Sequence, residues 1–178
     1  MDFDALAAAR YSVRQFKNQP VEQEKRACIL RAGRIAPTAG NRQPHRILVI
    51  HKEHDLQKVD ACTPYRFNAP LALLVAYDRR RPWIRQFDGM GSGETDASIV
   101  ATHMMLQAAD IGLGSTWVMS FDPQKTRSLF KLPEPLIPAA FLVIGYPSDT
   151  AAPAEQHCQR LSLEETVYFD DFSTYKDA

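Results

Sequence analysis

The segment that decides the fold runs from Thr95 to Gly114 and reads TDASIVATHMMLQAADIGLG. It predicts a helix that Thr95 or Asp96 caps at the start and that Gly112 ends. Apart from His103, its only acidic or basic residues are Asp96 and Asp110, so the helix is apolar around nearly its whole circumference. A helix on the surface of a monomer would carry a polar stripe. We therefore expect a central helix, and an interface between subunits would account for its remaining apolar face.

The segments around this helix alternate between strand and helix patterns. Short apolar runs predict strands, and apolar residues at helical spacing or a capping Asp before Pro predict helices. The predicted strands are RILVI (46–50), LALLVAYD (71–78), STWVMS (115–120) and AAFLVIGYP (139–147). Three further helices are predicted: a short one that ends at Ala9, one over 21–36 and one from Asp122 to Phe130. This order predicts an α/β or α+β fold around a single sheet.

Length and charge narrow the class of protein. With 178 residues, 45% of them hydrophobic, the chain is expected to form one domain over 1–178. A formal net charge of zero argues against a nucleic-acid or anionic-membrane partner. No apolar run approaches the roughly 20 residues of a membrane span, and no secretory leader is recognisable, which favours a cytoplasmic protein. The three cysteines are scattered and the five histidines lack a ligand spacing, so no metal site is predicted.

The run RYSVR (10–14) places Arg10, Ser12 and Arg14 at alternate positions. In an extended chain these three side chains point to the same side. Two guanidinium groups and a hydroxyl suit a phosphate, because arginine pairs with phosphate oxygens bidentately. A solvated basic edge explains the same residues, so both interpretations stay open on this run alone.

Two further stretches have the composition of ligand contacts. APTAGNRQP (36–44) combines small residues with the amides of Asn41 and Gln43, which suit the edge of a heterocycle, although a polar turn also explains them. GMGSG (89–93) has glycines spaced as in a dinucleotide loop but lacks the strand–turn–helix context, which favours a flexible loop. No nucleophile is paired with a base in the sequence pattern, so no catalytic side chain is predicted.

The C-terminal segment LEETVYFDDFSTYKDA (163–178) contains four aromatic residues after a polar, proline-containing connection. A segment this aromatic is expected to pack against protein rather than extend into water. Docking on its own domain and embracing a second subunit are both compatible with these residues.

Together these segments resemble the nitroreductase family of FMN-dependent NAD(P)H oxidoreductases. The resemblance is carried by RYSVRQF (10–16), APTAGNRQPHRILVI (36–50), AADIGLGSTWVMSF (108–121), LVIGYP (142–147) and Arg160 before LSLEETV (161–167). It implies an α+β homodimer with a mixed, mostly antiparallel sheet flanked by helices, and with the long buried helix at the dimer interface. FMN would bind at that interface in contact with both chains, and segment 163–178 would be an arm that docks on the partner subunit.

The resemblance also assigns contacts to FMN. Arg10 and Ser12, with Tyr11 nearby, match phosphate-binding positions, and Arg160 matches a second phosphate-binding arginine. Arg14 matches a basic position near the pyrimidine side of the ring, where a cation raises the reduction potential. The remaining matches are Pro37, Thr38 and Ala39 beneath the ring from the partner subunit, Asn41 and Gln43 as its polar contacts, and Met119 and Ser120 near flavin N5.

The implied activity is a ping-pong exchange in which NAD(P)H reduces FMN, leaves, and is replaced by a nitroaromatic, quinone or enone acceptor at flavin N5. The alternatives are a flavin-storage or flavin-sensing protein without substantial turnover and, third, a nucleotide-binding domain without flavin that rests on GMGSG. His45 departs from the family pattern, which usually has an aromatic residue there. The region 62–94, with Tyr65, Phe67, Trp83 and Phe87, is expected to help cover the pocket.

Overall fold

The computed structural model describes residues 2–175, and its sheet has four strands. These are β1 (His45–Ile50), β2 (Leu71–Asp78), β3 (Gly114–Val118) and β4 (Leu136–Gly145), hydrogen-bonded in the order β1–β2–β4–β3. All three strand pairings are antiparallel, and parallel pairing in the described residues is limited to the isolated bridge between Ser12 and Ser115. The predicted α+β fold with a mostly antiparallel sheet is therefore confirmed.

The two central strands, β2 and β4, form the middle of the core. The bounds of β2 coincide with the prediction, because LALLVAYD is a compact apolar run. β4 begins three residues earlier than predicted and contains Pro138. That proline lies beyond the part of β4 that pairs with β3, and it faces a register shift after Val75 in β2. A bulge of this kind accommodates the missing proline N–H.

Residues 2–175 form six α-helices. They are α1 (Phe3–Ala9), α2 (Gln23–Ile35), α3 (Glu53–Cys62), α4 (Gly93–Asp110), α5 (Pro123–Leu129) and α6 (Leu163–Thr166). α2 and α4 pack on one face of the sheet around Leu73 and Val75, while α3 packs on the other face around Leu74 and Phe141. Among residues 2–175, none of the helices combines the length and the apolar character that a bilayer crossing requires.

The central position predicted for α4 is confirmed. Val100 and Met104 are fully buried, and 18 residues make α4 the longest helix of the fold. Gly112 ends the helix as predicted, with a φ of +78° that favours glycine. The predicted N-terminal caps, Thr95 or Asp96, were wrong. The helix begins at Gly93 after Ser92, and Asp96 lies inside its first turn.

Candidate functional site

Residues 10–16 lie along the outer edge of β3. The backbone N–H of Val13 donates to the carbonyl of Ser115 over 3.0 Å, and the hydroxyl of Thr116 donates to the carbonyl of Val13. The side chain of Val13 is 2% exposed. Because both backbone groups of Val13 are bonded to β3, its neighbours Ser12 and Arg14 are held in fixed positions beside the sheet.

Two glycines that face each other make this close approach possible. Gly114 in β3 is the register partner of Gly145 in β4. A Cβ added at Gly114 would lie 2.5 Å from Cγ2 of Val13, and one added at Gly145 would lie 3.0 Å from Cδ1 of Phe16. The absence of side chains at these two positions therefore lets segment 10–16 rest directly on the sheet.

The predicted phosphate-binding residues line one polar cavity of about 200 Å³, called here the anion cavity. No carboxylate lines it, and among residues 2–175 the guanidinium groups of Arg10 and Arg14 have no hydrogen-bond or ion-pair partner. Its lining consists of Arg10, Tyr11, Ser12, Arg14, Ala154, Gln156, His157 and Arg160. Unpaired guanidiniums around a carboxylate-free cavity fit a bound anion such as a phosphate.

The C-terminal part of the chain closes the anion cavity. The residues Glu155–Cys158 form a 3₁₀ turn, and Nη1 of Arg160 donates back to the carbonyl of Gln159 over 2.6 Å. The hydroxyl of Tyr11 donates to the carbonyl of Ala151 over 3.3 Å, which ties segment 10–16 to this region. Arg160 was predicted from the sequence, whereas Gln156 and His157 were not, because only the folded return of the chain places them in the same cavity as Arg10.

A second cavity, of about 320 Å³, also has Arg14 in its wall; it is called here the β3 cavity. The predicted residues Met119 and Ser120 lie in its wall. Its complete lining is Arg14, Tyr65, Phe67, Thr116, Trp117, Val118, Met119 and Ser120. The hydroxyl of Thr63 donates to the carbonyl of Ser120 over 2.7 Å, which fixes the backbone there. A charged cavity and a cavity with aromatic walls that share Arg14 fit a ligand that joins a phosphate to a flat ring.

The segment 37–39 lines a separate, mostly apolar cavity of about 380 Å³, called here the hairpin cavity. In the described part of the chain it shares no lining residue with the other two cavities. Its lining is Pro37, Thr38, Ala39, Trp83, Arg85, Met90, Gly91, Ser92, Thr95, Asp96 and Ile99. Within one protomer, the predicted ring-contacting segment is therefore not part of the cavities that contain Arg10 and Arg14.

Asn41 and Gln43 follow segment 37–39 closely in the sequence but do not line the hairpin cavity. Nε2 of Gln43 donates to Oδ1 of Asn41 over 3.0 Å, so the two amides pair with each other. Both residues have positive φ values, +52° for Asn41 and +49° for Gln43. A non-glycine backbone in this region is strained, and such strain is concentrated at functional sites.

A hydrogen-bonded turn over residues 79–92 forms the other side of the hairpin cavity. Arg85 N–H donates to the carbonyl of Met90 and Ser92 N–H donates to that of Trp83, each over 2.9 Å. Phe87 lies at the tip and is 98% exposed. The GMGSG stretch is thus the returning half of an ordered turn, and its last glycine begins α4.

His45 begins β1 opposite Tyr77, on the sheet face that α4 covers. Its Nδ1 atom is buried and has no hydrogen-bond partner among residues 2–175. Burial lowers the pKa of His45, and the positive charge of Arg46 lowers it further, against a smaller opposing effect from Asp96. His45 is therefore held neutral in the position where the family resemblance leads us to expect an aromatic residue.

Comparison with known proteins identifies the family of this chain. Residues 7–82 and 65–146 match the nitroreductase family. A crystal structure of a nitroreductase family protein from Clostridium difficile 630 is 42% identical, with a TM-score of 0.91 over 96% of this chain and 99% of that one. An FMN-dependent nitroreductase from Clostridium difficile R20291 is 25% identical, with a TM-score of 0.79 over 96% of this chain and 100% of that one. The FMN reductase [NAD(P)H] of Bacillus subtilis is 28% identical over 89% of this chain and 71% of its own length. This chain belongs to the nitroreductase family.

Proposed function

We propose that this chain is an FMN-dependent oxidoreductase that takes electrons from NAD(P)H. The observation that carries the proposal is the pair of cavities that share Arg14, one lined by the unpaired guanidiniums of Arg10 and Arg14 and the other by aromatic residues, Met119 and Ser120. The similarity to the FMN reductase [NAD(P)H] of Bacillus subtilis supports the same cofactor and the same reductant.

Each end of the site has its own role in holding the cofactor. Arg10, Ser12 and Arg160 bind the phosphate. Its two negative charges offset the repulsion between the clustered guanidinium groups. Arg14 lies between the cavities, where its charge stabilises negative charge on the ring. When bound, FMN supplies the hydride exchange, and the residues of this chain bind it, orient it and leave one ring face open. No acid–base pair is required of the protein.

The active form is a homodimer in which each protomer completes the site of its partner. The separation of the hairpin cavity from Arg14 supports this arrangement, because Pro37, Thr38 and Ala39 then contact the ring bound to the partner subunit. The aromatic segment 163–178 is the arm that docks on the partner. Phe169 is 84% exposed and Phe172 is 73% exposed in the protomer, as an unpartnered arm would be. Residues 176–178 of this arm lie outside the described residues.

The electron acceptor is a nitroaromatic, quinone or enone that replaces the nicotinamide in a ping-pong cycle. The apolar wall of the hairpin cavity, with Trp83 and Met90, supports a flat acceptor of this kind. The partner subunit brings this wall to the ring together with Pro37, and it covers the site as expected for region 62–94.

The experiment is to purify the protein, record its visible absorbance and mix it anaerobically with NADH or NADPH, then with a quinone or a nitroaromatic. A flavin spectrum that NAD(P)H bleaches and the acceptor restores is the expected result. A flavin spectrum that neither nicotinamide bleaches would favour a storage or sensing protein. A colourless protein that does not bind added FMN would overturn the proposal.

A further inference from the structure

The anion cavity contains one basic group that the family resemblance does not assign, His157. It lies in the turn Glu155–Cys158 and lines the cavity together with Arg10, Arg14 and Arg160. We propose that His157 is a ligand of the FMN phosphate and that it binds in its protonated form. This inference rests on the proposed function, since it requires FMN in the anion cavity.

The hydrogen bonding of the ring determines which nitrogen is left for the ligand. Nε2 of His157 lies 3.1 Å from the backbone carbonyl oxygen of Ala8, at the end of α1. A carbonyl oxygen only accepts, so Nε2 carries a proton and donates it. The ring of Tyr11 packs against the imidazole edge-on, with 6.1 Å between the ring centroids, and further restricts its rotation. Nδ1 is the nitrogen that remains, and no hydrogen-bond partner for it is found among residues 2–175.

Nδ1 is able to donate to a phosphate oxygen only when the imidazole is protonated, because Nε2 already carries the proton of the neutral ring. The charged groups that line the cavity with His157 are Arg10, Arg14 and Arg160. Tyr11 packs against the imidazole, and its phenol donates to the carbonyl of Ala151. Glu155 belongs to the same turn but is not part of the cavity wall. A phosphate dianion bound beside the imidazole favours its positively charged form, because opposite charges attract. FMN binding should therefore take up a proton at His157.

A purely positioning role for His157 makes a different prediction. Its bond to Ala8 joins the C-terminal region to α1, and this bond alone would keep Arg160 near Arg10 at every pH. The His157→Gln variant separates the two roles. The Nε2 amide of glutamine is placed to keep the donation to Ala8, but the side chain does not titrate.

The test is a flavin-fluorescence titration of the apoprotein with FMN and with riboflavin, between about pH 6 and pH 8.5, for the natural chain and His157→Gln. At about pH 6.5 the natural chain should bind FMN about tenfold more tightly than the variant, the effect of one charge-assisted hydrogen bond. That ratio should fall towards one at the alkaline end, as the imidazole of the natural chain loses its proton. Riboflavin, which lacks the phosphate, should show no difference between the two proteins.

The comparison with the variant removes the titration of the phosphate itself, whose second proton dissociates near pH 6 in both proteins. Calorimetry in two buffers of different ionisation enthalpy should detect proton uptake on FMN binding near neutral pH, and His157→Gln should abolish it. An affinity ratio that stays constant with pH, with no proton uptake, would overturn the role of His157 while FMN still bound. Failure of the natural chain to prefer FMN over riboflavin would instead contradict the proposed function.

Discussion

The backbone N–H of Ala39 donates to Oδ1 of Asp96 over 2.8 Å, across 57 positions of the sequence. The other oxygen of the same carboxylate accepts from the hydroxyl of Ser92 over 2.7 Å. Asp96 is 1% exposed and lies in the first turn of α4, where the helix dipole favours a negative charge. A single buried carboxylate therefore joins the two walls of the hairpin cavity, the segment 37–39 and the turn 79–92.

Replacing Asp96 with asparagine should destabilise this junction. The carboxamide oxygen can still accept from Ala39 N–H, but its NH₂ group then faces Ser92, whose hydroxyl can no longer donate to it. Both bonds also lose the strength that the negative charge gave them. We expect the free energy of unfolding, measured by urea denaturation, to fall by about 1–3 kcal/mol. Asp110→Asn, at the exposed end of the same helix, is the matched control and should change stability by less than about 0.5 kcal/mol. Equal stabilities for the two variants would contradict the role given to Asp96.

Replacing Gly114 with alanine should displace segment 10–16. The added Cβ would lie 2.5 Å from Cγ2 of Val13, a contact that requires the backbone on one side to move. We expect a loss of about 1–3 kcal/mol in stability and, because Ser12 and Arg14 flank Val13, weaker FMN binding by the apoprotein. Gly91→Ala is the control for stability, since its added Cβ meets Ile84 at an ordinary 3.4 Å. Unchanged FMN affinity in Gly114→Ala would show that the packing of Val13 does not position the arginines.

His45 should make the protein less stable in mildly acidic solution. Because burial lowers the pKa of His45, the unfolded chain takes up a proton at a higher pH than the folded chain does. Stability is therefore expected to decrease as the pH falls below the ordinary histidine value of about 6.5. His45→Phe removes this titration and the unpartnered Nδ1, so its unfolding free energy should change less between pH 7 and pH 5. The exposed His51→Gln variant should keep the pH dependence of the natural chain, and a loss of that dependence in His51→Gln would argue against His45 as its source.

The exposed aromatic residues of the arm should contribute to dimer stability. In the protomer Phe169 and Phe172 contact water over most of their surface, so replacing both with alanine should leave the protomer folded. Burying a phenylalanine contributes about 1.5–3 kcal/mol, so the double variant should weaken dimerisation by about 100-fold or more. Analytical ultracentrifugation over a range of concentrations measures this change. A dimer of unaltered affinity would show that the arm does not dock on the partner subunit.

The sequence predicted well the elements whose own residues form a clear pattern. The apolar character of α4 and the run LALLVAYD gave the central helix and the central strand, because burial on all sides selects apolar residues throughout. α3 was not predicted, although Leu56, Val59 and Cys62 recur at a spacing of three and are all buried. The other positions of α3 are mostly polar or charged. The short apolar stripe of these three residues was the signal from which the helix could have been predicted.

The site was predicted where its residues are close in sequence. Arg10, Ser12 and Arg14 alternate within one extended segment, so their shared cavity follows from strand geometry. His157 and Asp96 act on residues that are far away in the chain, at Ala8 and Ala39, and no local pattern marks such a contact. Asp96 was interpreted as a helix cap because an aspartate near a helix start is commonly one.

The measurement that tests the central claim most directly is the affinity of the apoprotein for FMN in the natural chain and in Arg10→Ala. Loss of one charged hydrogen-bonding group to the phosphate should cost roughly 1.5–3 kcal/mol, which is about a 10- to 150-fold weaker affinity. Arg31→Ala, an exposed arginine of α2 that lines none of the three cavities, should bind FMN as the natural chain does. An Arg10→Ala variant with the FMN affinity of the natural chain would contradict the assignment of the anion cavity to the cofactor phosphate.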